Sequence, residues 1–176
     1  MTRLIWALFL LSALFVEGCA SGAKPEAMFV RINVPVHQSQ SDVSVAVIGG
    51  KETSKMWVSQ ISDQDFAQAL QDSIMHAGLF KKVTTSSPTA YKLDAFIVRM
   101  NQPIFGASMT VSMEVNYSLT RTNPKEVVWQ KAVTSTYTAP VSEAFIGATR
   151  LRKANEGAAR KNIEQAINEM SQLQLD

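Results

Sequence analysis

The chain has 176 residues, 46% hydrophobic and 18% charged, with Lys+Arg 17 against Asp+Glu 15 and a net charge of +2. This fits one ordinary globular domain and excludes a long disordered chain, a coiled coil and a polybasic nucleic-acid binder. So small a surplus of charge makes no strong electrostatic case for DNA, RNA or an anionic membrane as partner.

The N-terminus reads as an export signal, covering residues 1–18. Arg3 is a short positive region, and Leu4 to Val16 is apolar apart from Ser12. At about 1.5 Å per residue this run spans only ~20 Å as a helix, short of the ~30 Å hydrocarbon core, which favours a cleaved signal over a permanent membrane span. Cys19 is the sole cysteine, so no intramolecular disulfide can form. Val16-Glu17-Gly18-Cys19 resembles the bacterial lipobox, in which the cysteine is lipidated and becomes the mature N-terminus. Val16 and Gly18 fit that pattern, and Glu17 departs from the small or apolar residue usual in its slot. The alternative is an ordinary signal peptide cut near Ala20 or Ala23, with Cys19 discarded or left as a thiol. Ala20 stands where an aspartate would mark inner-membrane retention. The resemblance therefore implies an outer-membrane lipoprotein on the periplasmic face of a Gram-negative bacterium. Residues 19–27 are expected to be a lipidated, flexible tether, and residues 28–176 a single periplasmic domain.

In the domain, Met28 to Val36 alternates apolar and polar residues and predicts a half-buried strand, ending near Pro35. Val43, Val45 and Val47 predict a second strand, closed by Gly49-Gly50, and the two are expected to pair. Ser62 with Asp65 has the pattern of a capping box. Phe66, Ala69, Leu70, Ser73, Ile74 and Ala77 follow at helical spacing before Gly78, which predicts a helix over Asp63–Ala77. Lys81 to Thr84 reads as a short extended piece.

From Tyr91 the period changes to two. Tyr91, Leu93, Ala95 and Ile97 predict one strand; Met109, Val111, Met113, Val115, Tyr117 and Leu119 predict another, apolar on one face. After the turn Thr122 to Lys125, Val127 to Thr138 predicts a third, and together they should form an antiparallel meander. Pro140 ends the sheet, and Leu151, Ala154, Ala158, Ile163, Ala166, Ile167, Met170 and Leu173 predict a long amphipathic helix to the C-terminus. Arg152, Glu156 and Arg160 are expected to form an exposed ladder on its outer face. The expected fold is α+β: two layers, a mainly antiparallel sheet with two helices on one face.

The sequence carries no convergent chemistry. His37 falls in a polar turn and His76 near a helix C-terminus, where the macrodipole explains it, and neither has metal-ligand spacing. No GxSxG occurs, and Gly49-Gly50 lacks the further glycine and the lysine that a phosphate cradle requires. The protein is expected to be no enzyme, with no cofactor and no metal. Three features remain as a candidate interaction surface. Trp57, in an otherwise polar loop, either plugs the core or stands exposed as an anchor. Phe145, before the last helix, either staples that helix or stands exposed. The basic group Arg150, Arg152, Lys153, Arg160 and Lys161, of which Arg152 and Arg160 are the candidates, is either a solvated helix face or a site for a headgroup or an anionic polymer.

The order of these elements carries a resemblance. The lipobox, the run Phe66 to Ile74 leading into Ala77-Gly78-Leu79-Phe80, Tyr91-Lys92-Leu93-Asp94-Ala95, the long hairpin, and a last helix with Ala154-Asn155-Glu156 and Asn162-Ile163 resemble the YajG-type bacterial lipoproteins. The layout is also similar to the periplasmic domains of LpoB, of the amino-terminal part of TolB and of CsgG. The resemblance implies an envelope lipoprotein with no catalytic residues, and only Cys19 carries over. Two functions stay open. One is an interaction or assembly module, held to the membrane by its lipid and contacting an envelope protein. The other is a carrier of a lipid or other apolar ligand between sheet and helices. A filled core with an exposed apolar patch would favour the first, and a continuous apolar cavity the second.

Overall fold

A computed structural model describes residues 21–32, 39–53 and 58–175. Among these residues three helices, α1 (Pro25–Met28), α2 (Asp63–Ala77) and α3 (Gly147–Met170), accompany five strands: β1 (Ser39–Ile48), β2 (Phe80–Thr84), β3 (Tyr91–Asn101), β4 (Met109–Arg121) and β5 (Glu126–Ala139). The strands form one open sheet in the order β2-β1-β3-β4-β5. β3, β4 and β5 pair antiparallel, as the expected meander does, whereas β1 runs parallel to both of its neighbours. The fold is α+β.

The helices are bounded as their sequences predict. Ser62 Oγ accepts from the Asp65 N–H at 3.1 Å and donates to the Asp65 carboxylate at 2.6 Å, while Gly78 takes the left-handed conformation (φ 68°) that ends α2. Phe66, Ala69, Leu70 and Ile74 of α2 are fully buried, as are Ala154, Ala158, Ile163, Ala166 and Ile167 of α3. They meet Tyr91, Leu93 and Ala95 of β3 and the whole apolar row of β4 from Val111 to Leu119. Among the described residues, no helix covers the opposite face of the sheet.

Two expectations are corrected at the N-terminal side. Met28 to Ile32, the described part of the predicted strand, does not form it: Met28 ends α1, and Phe29 to Ile32 belong to no strand. Residues 33–38, with His37, lie outside the described residues. The alternation is real, since Met28 and Val30 are buried, but they pack on helices, and the Val30 N–H goes to Ser73 Oγ of α2. Both edges of β1 are already taken, by β2 after the α2 crossover and by β3, so no slot for that strand exists. The segment read as a tether also packs on the body. Ala23 is buried, and its N–H donates to Gln60 O at 3.0 Å, so packing begins before Met28.

Candidate functional site

While His76 lies at one end, in the last turn of α2, the sheet topology gathers Gly49-Gly50, Phe145, Arg150 and Arg152 at the other. The C-terminal ends of β1 and β3, the turn from β3 to β4, the turn from β5 to α3, and the first residues of α2 and α3 all lie there. Three side chains lace these loops together. Asn155 of α3 donates to Ser59 O at 2.8 Å and accepts from Gln102 at 2.8 Å, and Gln102 itself also reaches Ser59 O. Arg150 spends its guanidinium on backbone carbonyls: Ala144 O and Phe145 O, each at 2.8 Å, and Gly106 O at 3.1 Å. Arg150 is therefore buried, which corrects the reading of this basic group as a wholly solvated face.

The polypeptide enters at this same end. Arg152 donates to Ser21 Oγ, the Lys24 backbone N–H donates to Glu156 Oε1 at 3.1 Å, and Arg160 donates to Ala27 O at 3.2 Å. The ladder Arg152, Glu156 and Arg160 is thus a strap that holds residues 21–27 along α3. It is not the exposed row of ion pairs expected, because the N-terminal segment covers Glu156 and leaves it 7% exposed. Burial pushes the Glu156 carboxyl above its ordinary value of 4.5, against the opposing pull of the Lys24 N–H and the Arg152 guanidinium. The folded protein therefore holds that proton more tightly than the unfolded chain does. Its contribution to stability is complete at low pH and is lost as pH rises through the raised value. Glu156→Gln is expected to remove this decline, so that urea midpoints of variant and wild type diverge from acid toward neutral pH with the variant higher. A constant difference across that range would contradict it.

Phe145 is 90% exposed, so it does not staple α3. Ile146 beside it and Ile104 and Phe105 in the facing loop are exposed as well. Cys19 and Trp57 lie outside the described residues.

The uncovered face of the sheet is the second surface. Ile48 of β1 pairs with Phe96 of β3, and Phe96 with Asn116 of β4, so these side chains stand in one row across three strands. Ile48 and Phe96 are 61% and 44% exposed, and Val98 further along β3 is also exposed. Ile48, Phe96 and Asn116 line, with Ala46, Asp94, Ser118 and Gln130, a shallow recess of about 280 Å³. Between sheet and helices, by contrast, the described apolar side chains form one buried cluster. There the Tyr117 hydroxyl donates to Asn162 Oδ1 at 2.9 Å, and Asn162 Nδ2 donates to Val133 O and to Ser135 Oγ. Burial pushes the Tyr117 phenol far above its usual range, so it stays a donor. Motif patterns do not reveal this network, although Asn155 and Asn162 stand seven apart on the apolar stripe of α3, a spacing that puts both on its buried side.

Gly49 and Gly50 end β1. The Gly50 N–H is taken by the Asp63 carboxylate at 2.6 Å, which fills the place a phosphate would need. His76 rests against the Phe29 ring at 5.4 Å in the last turn of α2. Among the described residues no three His, Cys, Asp or Glu side chains converge as metal ligands, and no helix is long and apolar enough to cross a membrane.

No protein-family model matches this chain, and neither does any curated protein. Solved structures share its fold. A Xanthomonas campestris protein of the DUF330 family aligns with a TM-score of 0.59 at 12% identity, over 81% of this chain and 90% of that one. A Caulobacter crescentus protein described as a lipoprotein aligns with a TM-score of 0.53 at 14% identity, over 74% and 88%. A Chlamydia trachomatis protein aligns with a TM-score of 0.53 at 9% identity, over 77% and 100%.

Proposed function

We propose that this protein is a YajG-type lipoprotein of a Gram-negative outer membrane. In this reading Cys19 carries the lipid, and the domain faces the periplasm as a non-enzymatic contact module of an envelope protein complex. The lipobox-like Val16 to Cys19 supports the anchor, and a lipoprotein of the same fold in Caulobacter crescentus agrees with it. The observation that carries the contact role is the contrast between the two sheet faces. Under the helices the layer is packed with side chains such as Phe66, Leu70, Met113, Tyr117 and Ile163, each at 0% exposure. That favours a contact module over a carrier holding an apolar ligand between sheet and helices. The other face keeps Ile48, Phe96 and Val98 in solvent, beside polar side chains such as Asp94, Asn116, Ser118 and Gln130. A patch of that kind is what a protein partner covers.

A photo-crosslinking residue in place of Phe96 tests this in intact cells, with Lys82 on the edge strand as the control position. One discrete envelope protein crosslinked at 96 and not at 82, and lost on Ile48→Asp, is the expected result. Equal, diffuse labelling at both positions would contradict the contact role.

A further inference from the structure

We propose that Ile104, Phe105, Phe145 and Ile146 form a second membrane contact, entering the acyl layer of the same membrane that holds the Cys19 lipid. The proposal rests on the anchor reading above and adds an orientation to it. Exposures of 94%, 85%, 90% and 57% make these the apolar tips of two adjacent loops. The loops are fixed and not merely extended, because one buried guanidinium, that of Arg150, bonds Gly106 O in the first and Ala144 O and Phe145 O in the second. A large apolar cluster held at the tips of fixed loops marks a surface that something covers.

The covalent chain is the first argument. Arg152, little more than a turn into α3, holds Ser21, and Ala23 is fastened to Gln60 on the neighbouring loop. Cys19 is two residues before Ser21, so its sulfur is confined within roughly 10 Å of that point. Phe145 and Ile146 stand just before the same turn of α3. A lipid on Cys19 therefore brings this end of the sheet, and not the β3–β5 edge or the far end of α2, against the bilayer. The second argument is charge. Lys153 lies at the base of the second tip, its ammonium donating to Glu143 O at 2.8 Å. A cation at the foot of apolar tips matches a headgroup layer over acyl chains. The exposed row on the sheet, Ile48 and Phe96, then points along the membrane, free for a protein.

Lipidation consumes the Cys19 thiol, so Phe105→Cys and Phe145→Cys each give the mature lipoprotein a single free thiol for an environment-sensitive dye. Met75→Cys, 60% exposed near the far end of α2, is the control. The labelled full-length lipoproteins are placed in phosphatidylethanolamine and phosphatidylglycerol vesicles with and without brominated acyl chains. Bromine is expected to quench the dye at 105 and 145 at least about twofold and to leave the dye at 75 unchanged. Acylated, vesicle-bound protein with equal signals at all three positions would overturn the membrane contact alone. Protein without acyl mass that stays out of the vesicle fraction would overturn the anchor reading and this one with it. Disulfide pairing between copies at 145 in place of quenching would assign the tips to a second copy and overturn the proposal.

Discussion

Replacing Asn162 with alanine is expected to remove about 2–4 kcal/mol of stability, the cost of leaving several buried polar groups without partners. Asn162 is fully buried and serves three atoms at once: it accepts from the Tyr117 hydroxyl and donates to Val133 O and Ser135 Oγ. Ser135 in turn donates to Ala158 O at 2.8 Å, so the network joins β4, β5 and α3. Tyr117→Phe removes one member and orphans one acceptor, and should cost only about 1–2 kcal/mol. The double variant should cost less than the two single losses added together, since they share one hydrogen bond. Urea denaturation of the four proteins measures this. Strict additivity would mean that the network is not coupled.

Gly157→Ala is expected to destabilise the protein by about 1–3 kcal/mol, although alanine is the better helix former by ~1 kcal/mol. A Cβ at position 157 would come within 2.4 Å of two carbons of the Tyr137 ring. The ring cannot easily swing away. Its hydroxyl is bonded to Glu143, and Arg160 and Lys161 sit against its face, 6.0 and 5.5 Å from its centre. The sign of the effect is the test. In a Tyr137→Ala background the overlap is gone, and Gly157→Ala should become stabilising by up to ~1 kcal/mol. Thermal unfolding of the four proteins reads it, and destabilisation that persists without the ring would place the strain elsewhere.

Both predictions concern α3, and α3 shows what was legible. Its apolar stripe predicted the helix and its buried face, because Leu151, Ala154, Ala158 and Ile163 recur at the helical period. The alternation of β4 likewise made the side of the sheet under the helices plain, and Ser62 with Gly78 bracketed α2. Charged residues on the outer face of α3 were harder. Arg152, Glu156 and Arg160 have the spacing of a solvated ladder, and that spacing is the same whether water or a chain segment lies over them. What covers them comes from more than 120 positions away in sequence, at Ser21 to Ala27.

The parallel placement of β1 was hidden for a related reason. Alternation shows which side chains are buried and says nothing of which strand is the neighbour. Met28 and Val30 therefore looked like a strand while packing on helices. The role of Phe145 was open on sequence alone, since an apolar residue just before a helix fits a staple and a loop tip equally well. Only the position of Arg150, drawing two loop backbones together beneath it, puts Phe145 outward. The buried asparagines carried a readable signal, two amides seven residues apart within an apolar stripe, that composition and motif patterns do not weigh.

In the proposed reading the chain is held to a membrane through Cys19, at the end of the fold where Ser21 and Ala23 are fastened. Intact mass spectrometry of the detergent-extracted wild-type protein measures this most directly. The expected result is a polypeptide beginning at Cys19, without residues 1–18, heavier than its sequence by a diacylglyceryl group and a further acyl chain. A mature chain that begins at another residue, or one that begins at Cys19 with a free thiol and no acyl mass, would contradict it.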